Sequence, residues 1–347
     1  MATSAFTPAS QVIERHQTLF NDKNVIIAGD IQDSYPAIMA ANQVKIHCTQ
    51  FHTYLRLKNS VRGKYTYFSL LPEAELYAGM DTLIYYWPKT KSEAQFQLSY
   101  LLHNMPKGSD IFIIGENRTG VKSVEALLSD FGTIQKIDSA RRCGLYHFQA
   151  DSRLAFNLDE WWLSYHLTIE NQNIEIKSLP GVFSQKGLDA GSELLLNALM
   201  DHADIIKGNV LDVGCGSGIL STVLGKLYPD ITTLTLSDVS SSAIESSKAT
   251  LNRNHVNATV VASDVFSNLN DKYHLIVSNP PFHDGKETNY TAVNALIKEA
   301  KKHLKLNGYL CIVANSFLPY QTILDETFKS VEVIAQTTKF KVYLASH

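Results

Sequence analysis

Cysteine is scarce in this chain: Cys48, Cys143, Cys215 and Cys311 are the only four in 347 residues. They lie far apart and form no C-x-x-C pair, which argues against a structural zinc site or a disulfide framework; no metal is expected. Long apolar runs are missing too, and none approaches the ~18 residues a membrane helix needs. The first residues, MATSAFTPASQVIERH, lack the basic and apolar regions of a signal peptide, so a cytoplasmic chain without a membrane partner is expected. Nor is positive charge in excess: 31 Lys and Arg stand against 34 Asp and Glu, a net charge of −3. That balance does not exclude a nucleic-acid partner, because affinity depends on the local cations that neutralise phosphates. What the chain has is length. It exceeds the size at which a single core keeps growing, so two domains are expected, with a boundary at 155/156.

Chemistry concentrates in the second half. The apolar run Leu275-Ile276-Val277 reads as a buried strand and runs into Asn279-Pro280-Pro281-Phe282. Proline offers no N–H and fixes φ near about −65°, so the strand must stop with its carbonyls exposed. The Asn279 side-chain oxygen and the Pro280 carbonyl can then both accept from one NH2 group, while Phe282 offers a flat apolar face. Such a site suits a planar amine. Upstream, Val210 to Gly218 (VLDVGCGSG) is an apolar run followed by alternate glycines and a helix-like segment, Ile219 to Leu227, in the manner of a Rossmann-like first strand and turn. Gly214, Gly216 and Gly218 would let a nucleoside approach the backbone. A second run, Thr233 to Leu236, ends in Ser237-Asp238-Val239, placing a carboxylate where the fold offers an acceptor to ribose hydroxyls. A third, Ala258 to Ala262, ends in Ser263-Asp264-Val265-Phe266, a polar group beside an apolar wall for a ring carrying an amine. All these features fall at the carboxyl ends of expected parallel strands, where open α/β sheets bind ligands.

On these motifs, residues from about 180 onward resemble class I S-adenosylmethionine-dependent methyltransferases. Further segments, among them Asp81 to Gln97, Ser139 to Tyr146 (SARRCGLY) and Leu179 to Leu196 (LPGVFSQKGLDAGSELLL), extend the likeness nearly end to end, to bacterial guanine-N2 methyltransferases of small-subunit ribosomal RNA. The resemblance implies S-adenosyl-L-methionine as cofactor and 16S rRNA, within the small ribosomal subunit, as partner. It also implies transfer to a guanine N2, no DNA partner and a monomer. Asp212, Gly214, Cys215, Gly216, Gly218, Asp238, Val239, Asp264, Val265 and Asn279 are the implied cofactor contacts, Asp212 at the methionine end and Asp264 at the adenine. Asn279, Pro280, Pro281 and Phe282 are the implied catalytic set. The same four-residue motif also serves enzymes acting on adenine N6 and on glutamine amides. No helix-turn-helix reader is recognisable for the former, and the α/β first half does not suit the latter.

The first half repeats the landmarks of the second in order: Val25 to Asp30 for the glycine strand, Thr82 to Lys89 for the Asn279 strand, and Gly108 to Gly115 for Gly308 to Ala314. Only one glycine of the loop survives, and Trp87 is expected in the place of Asn279. The expected fold is therefore α/β, with two tandem Rossmann-like methyltransferase-type domains, 1–155 degenerate and 156–347 catalytic. Tyr85, Tyr86 or Trp87 either stack on unpaired bases or, more simply, pack in a core. Lys298, Lys301, Lys302 and Lys305 at helical spacing, Arg141-Arg142, and the cluster Arg56, Lys58, Arg62 and Lys64 are either solvated or face phosphates. Ser192-Glu193 is expected to open a helix, and Phe183, Gly191 and Ser192 also stand as candidates to border the cofactor.

Overall fold

Two sheets of seven strands, built in the same order from successive halves of the chain, make up the computed structural model, which describes residues 5–60, 65–151, 154–280 and 287–346. The first unit ends at Trp161 and the second begins at Trp162. The division thus lies beyond the expected 155/156. Phe156 and Trp161 both pack their rings against Phe96, at 6.0 and 5.4 Å between centroids, and so belong to the first core.

The first unit contains β1 (Asn24–Gly29), β2 (Gln43–Cys48), β3 (Thr66–Phe68), β4 (Thr82–Tyr86), β5 (Asp110–Glu116), β6 (Gly132–Ala140) and β7 (Cys143–Ala150). Their order is β3-β2-β1-β4-β5-β7-β6, with β1 to β5 parallel and β7 antiparallel to both of its neighbours. In the second unit a two-stranded ribbon, β8 (Leu163–Ile169) and β9 (Gln172–Ser178), precedes β10 (Gly208–Val213), β11 (Ile231–Asp238), β12 (Thr259–Ala262), β13 (Tyr273–Ser278), β14 (Leu304–Asn315), β15 (Ser330–Gln336) and β16 (Phe340–Ser346). The sheet order β12-β11-β10-β13-β14-β16-β15 repeats the first unit strand for strand. The inner strands are buried on both faces, which explains why Leu275 to Val277 and Val25 to Ala28 read as unbroken apolar runs.

The register corrects one expectation. Val25 pairs with Thr82 and Gly29 with Tyr86, while Val210 pairs with Leu275 and Asp212 with Val277. Superposing these ladders puts Tyr86, not Trp87, in the place of Asn279, and Trp87 in that of Pro280. Tyr85, Tyr86 and Trp87 are all at most 4% exposed, so these rings are core and not a stacking platform. The space directly over Gly29 is also closed. A Cβ on Gly29 would lie 2.1 Å from the Tyr86 carbonyl oxygen, because the chain leaving β1 folds back onto β4 through Asp30 N–H to that same oxygen, 2.8 Å.

Candidate active site

In the second unit the corresponding turn leans the other way. The N–H groups of Gly214 and Cys215 both donate to the Ser237 carbonyl at the end of β11, at 2.8 and 3.0 Å. Gly214 and Gly216 have positive φ, +74° and +56°, and a Cβ on either would meet nothing within 4 Å. The loop therefore stands open above the sheet, and a cavity of ≈ 350 Å³ lies over it. Asp238 holds the loop in this posture: its carboxylate accepts from Gly216 N–H at 3.0 Å and from Ser240 N–H at 2.9 Å. Burial raises the pKa of Asp238, and those backbone donors draw it back. From the other side, Ser278 Oγ donates to the Val213 carbonyl at 2.7 Å, tying the end of β13 to the end of β10 and setting Asn279 beside the glycine turn.

Gly214, Cys215, Gly216, Asp238, Val239, Asp264, Val265, Asn279 and Pro280 all line this one cavity, as do Phe183 and Ser192. Pro281 and Phe282, together with His283 and Asp284, lie outside the described residues. Val265 sits at φ +51°, a conformation that costs a β-branched residue on the order of 1–3 kcal/mol. Ser263 Oγ donates to the Val265 carbonyl at 3.0 Å and steadies it. The Cys215 thiol is buried against Ser247, and burial pushes its pKa far up, so it is an uncharged part of the wall.

Four expected placements change. Asp212 is fully buried and does not line the cavity. Successive side chains of a strand alternate between faces; Val213 lines the cavity, so Asp212 points behind the sheet, where Ser221 Oγ donates to it at 2.8 Å. Gly218 does not line the cavity either: a Cβ there would lie 3.1 Å from Ser247, where the helix Ser241–Arg253 packs closely on the turn. Phe266 stacks on His303, with centroids 4.3 Å apart, leaving Val239 and Val265 as the apolar wall. Finally, the helix Ala190–Asp201 is opened by Asp189 and not by Ser192; the Asp189 carboxylate accepts from the N–H groups of Gly191 and Ser192 at 3.0 and 3.1 Å.

That cap residue also touches the catalytic candidate, which sequence reasoning missed. Asn279 Nδ2 donates to Ser192 Oγ at 2.8 Å and to Asp189 Oδ1 at 3.3 Å. The signal was present as Asp-Ala-Gly-Ser, a strong cap three residues before a serine.

A methyltransferase is what this sheet order and this edge define: an open glycine turn, a carboxylate at the neighbouring strand end, and an Asn-Pro step beside it. Family models agree, with Methyltransferase small domain matching residues 173–344 and Methyltransferase small domain N-terminal matching 10–165. The chain is 51% identical over 343 residues to ribosomal RNA small subunit methyltransferase C of Serratia proteamaculans and of Pectobacterium atrosepticum, covering 99% of this chain and 96% of each relative. In fold it matches the Thermus thermophilus 16S rRNA N2 G1207 methyltransferase, solved with AdoMet and guanosine, at a TM-score of 0.82 and 21% identity, over 98% of this chain and 92% of that one. The chain belongs to the ribosomal RNA small subunit methyltransferase C family and is accordingly an enzyme that methylates ribosomal RNA.

Proposed function

We propose that the chain transfers a methyl group from S-adenosylmethionine to the exocyclic N2 of a guanine in 16S rRNA, with the C-terminal unit carrying the chemistry and Asn279 presenting the amine. The observation that carries this reading is the commitment of the Asn279 NH2 to Ser192 and Asp189, which leaves Oδ1 as the acceptor at the cavity. The guanine assignment is supported by the Thermus protein, whose name gives N2 of G1207 and whose complex holds guanosine.

The cavity fits the cofactor on its own features. Open space over Gly214 and Gly216 admits a sugar and its chain, Asp238 keeps lone pairs for a diol, and Asp264 with Val239 and Val265 offers acceptor and apolar wall for a purine. When bound, the cofactor supplies an electrophilic methyl group on a positively charged sulfur. The protein's task is the nucleophile. A guanine amino nitrogen shares its lone pair with the ring and is weakly nucleophilic while planar. The Asn279 oxygen and the Pro280 carbonyl, accepting its two N–H bonds, favour a pyramidal nitrogen and fix its direction. The same oxygens stabilise positive charge developing on nitrogen. The alkylated nitrogen is strongly acidic and loses its proton to solvent afterwards, so no general base is required of the chain. Phe282 is the candidate to hold a flipped-out base flat. A monomer acting in the cytoplasm suffices for this chemistry.

The test is to incubate the protein with methyl-labelled cofactor and either free 16S rRNA or small subunits, digest to nucleosides and separate them. Label in N2-methylguanosine is expected. Label in N6-methyladenosine, or only in protein, would contradict the assignment.

A further inference from the structure

We propose that Asp189, with Ser192, is a positioning residue for methyl transfer: it fixes the direction of the Asn279 amide and thereby aims the acceptor oxygen. This rests on the acceptor reading of Asn279 given above. A carboxylate has no hydrogen to donate, so the end of the Asn279 amide facing Asp189 Oδ1 must be the NH2. Ser192 Oγ takes that same nitrogen at 2.8 Å, and the Oδ1 end is left to the substrate. Without these partners an asparagine amide turns over readily, since its terminal torsion is broad and roughly two-fold. A reversed amide would present a donor to an amine that has only hydrogens to offer.

Asp189 is itself rigidly held. Its Oδ1 accepts from Gly191 and Ser192 N–H, and its Oδ2 accepts from Ser184 Oγ at 3.0 Å. Gly191 completes the seat: a Cβ there would stand 3.5 Å from both Nδ2 and Oδ1 of Asn279, so the amide lies directly against the first turn of the helix. Negative charge on the NH2 side also draws electron density toward Oδ1, strengthening it as an acceptor for a nitrogen becoming positive.

The first unit contains the same joint without the chemistry. Thr7 caps the helix Pro8–Arg15, Ser10 stands three residues on, and Ser10 Oγ lies 3.0 Å from the hydroxyl of Tyr86, the residue in Asn279's place. A link from the third residue after the cap to the end of the fourth-numbered strand is therefore part of both frames. Only the second unit puts a reversible amide there, and only there does the cap supply a carboxylate to fix it.

The experiment uses the full chain with small subunits, reading three quantities: single-turnover methyl transfer, affinity for S-adenosylhomocysteine by calorimetry, and the melting temperature. Asp189→Ser still caps the helix but is too short to hold Asn279. We expect Asp189→Ser to slow transfer by about 10–100-fold, with affinity and melting near wild type. Asp189→Asn, which can keep an oxygen in the Oδ1 place, is expected to recover transfer to within about fivefold of wild type. Should Asp189→Ser perturb folding, Ser192→Ala carries the same test, with a smaller slowing. Wild-type transfer in Asp189→Ser, or a loss confined to cofactor affinity, would overturn the proposal. Asn279→Ala measured alongside separates the two readings: if it too transfers at the wild-type rate, the acceptor role itself fails, whereas slow transfer there with fast transfer in Asp189→Ser sinks only the positioning role.

Discussion

Asp212 shows how a residue of a binding motif can stand away from the cavity that the motif borders. The run Val-Leu-Asp-Val-Gly marks the strand and turn, yet alternation places Val213 over the cavity and Asp212 behind it. There one carboxylate oxygen takes Ser221, and the other is buried with no hydrogen-bond partner among the described residues. Burial pushes its pKa up to about 7, with Asp238 adding repulsion and Ser221 opposing. A raised carboxyl pKa means the folded protein binds the proton more tightly than the unfolded chain does. Stability from this group is therefore full below pH ~4 and is lost as pH rises toward 7. Asp212→Asn removes that loss. Its stability in urea should match wild type near pH 4 and exceed it near pH 8 by on the order of 2–4 kcal/mol. A variant with the same advantage at both pH values would show that Asp212 is not buried as an acid.

At the scale of elements, strand ends were the most legible part of the sequence, because a glycine turn, a Ser-Asp end and an Asn-Pro stop each have a local physical cause. Helix beginnings were less so. Ser192 looked like a cap, but Asp189 takes the free N–H groups, since its longer reach to two donors and its charge suit a helix start better. Turns carry a similar lesson. Ala140 pairs with Cys143, so Arg141 and Arg142 form a two-residue hairpin turn, with φ of 51° and 61°. Such a turn prefers Asn-Gly, and residues with a Cβ are strained in it. Replacing Arg141→Asn and Arg142→Gly together should stabilise the first unit by about 1 kcal/mol, seen as a higher urea midpoint for its transition. An unchanged or lower midpoint would mean that the arginine side chains contribute more to the hairpin than their backbone costs.

The whole molecule repeats one frame and, on the proposed reading, uses it once. Repetition was visible because apolar runs recur in the same order, and the two identical strand orders now account for it. Which residue closes the first site was not visible, since a one-residue slip at a strand end changes which side chain faces inward, and only the ladder from Val25 to Thr82 fixes it. Tyr86 fills the place, buried, and Gly29 is roofed by its carbonyl, so in the first unit the turn lies closed against the fourth strand. In the second unit the turn swings toward β11, and Asn279 meets open space. The central claim is that its amide oxygen acts in the transition state and not in binding the cofactor. The direct measurement is single-turnover methyl transfer by Asn279→Ala beside its cofactor affinity. A slowing equivalent to about 2.7–4 kcal/mol with unchanged affinity is predicted, by analogy with deleting one preorganised transition-state partner. Wild-type transfer, or a defect abolished by saturating cofactor, would contradict it.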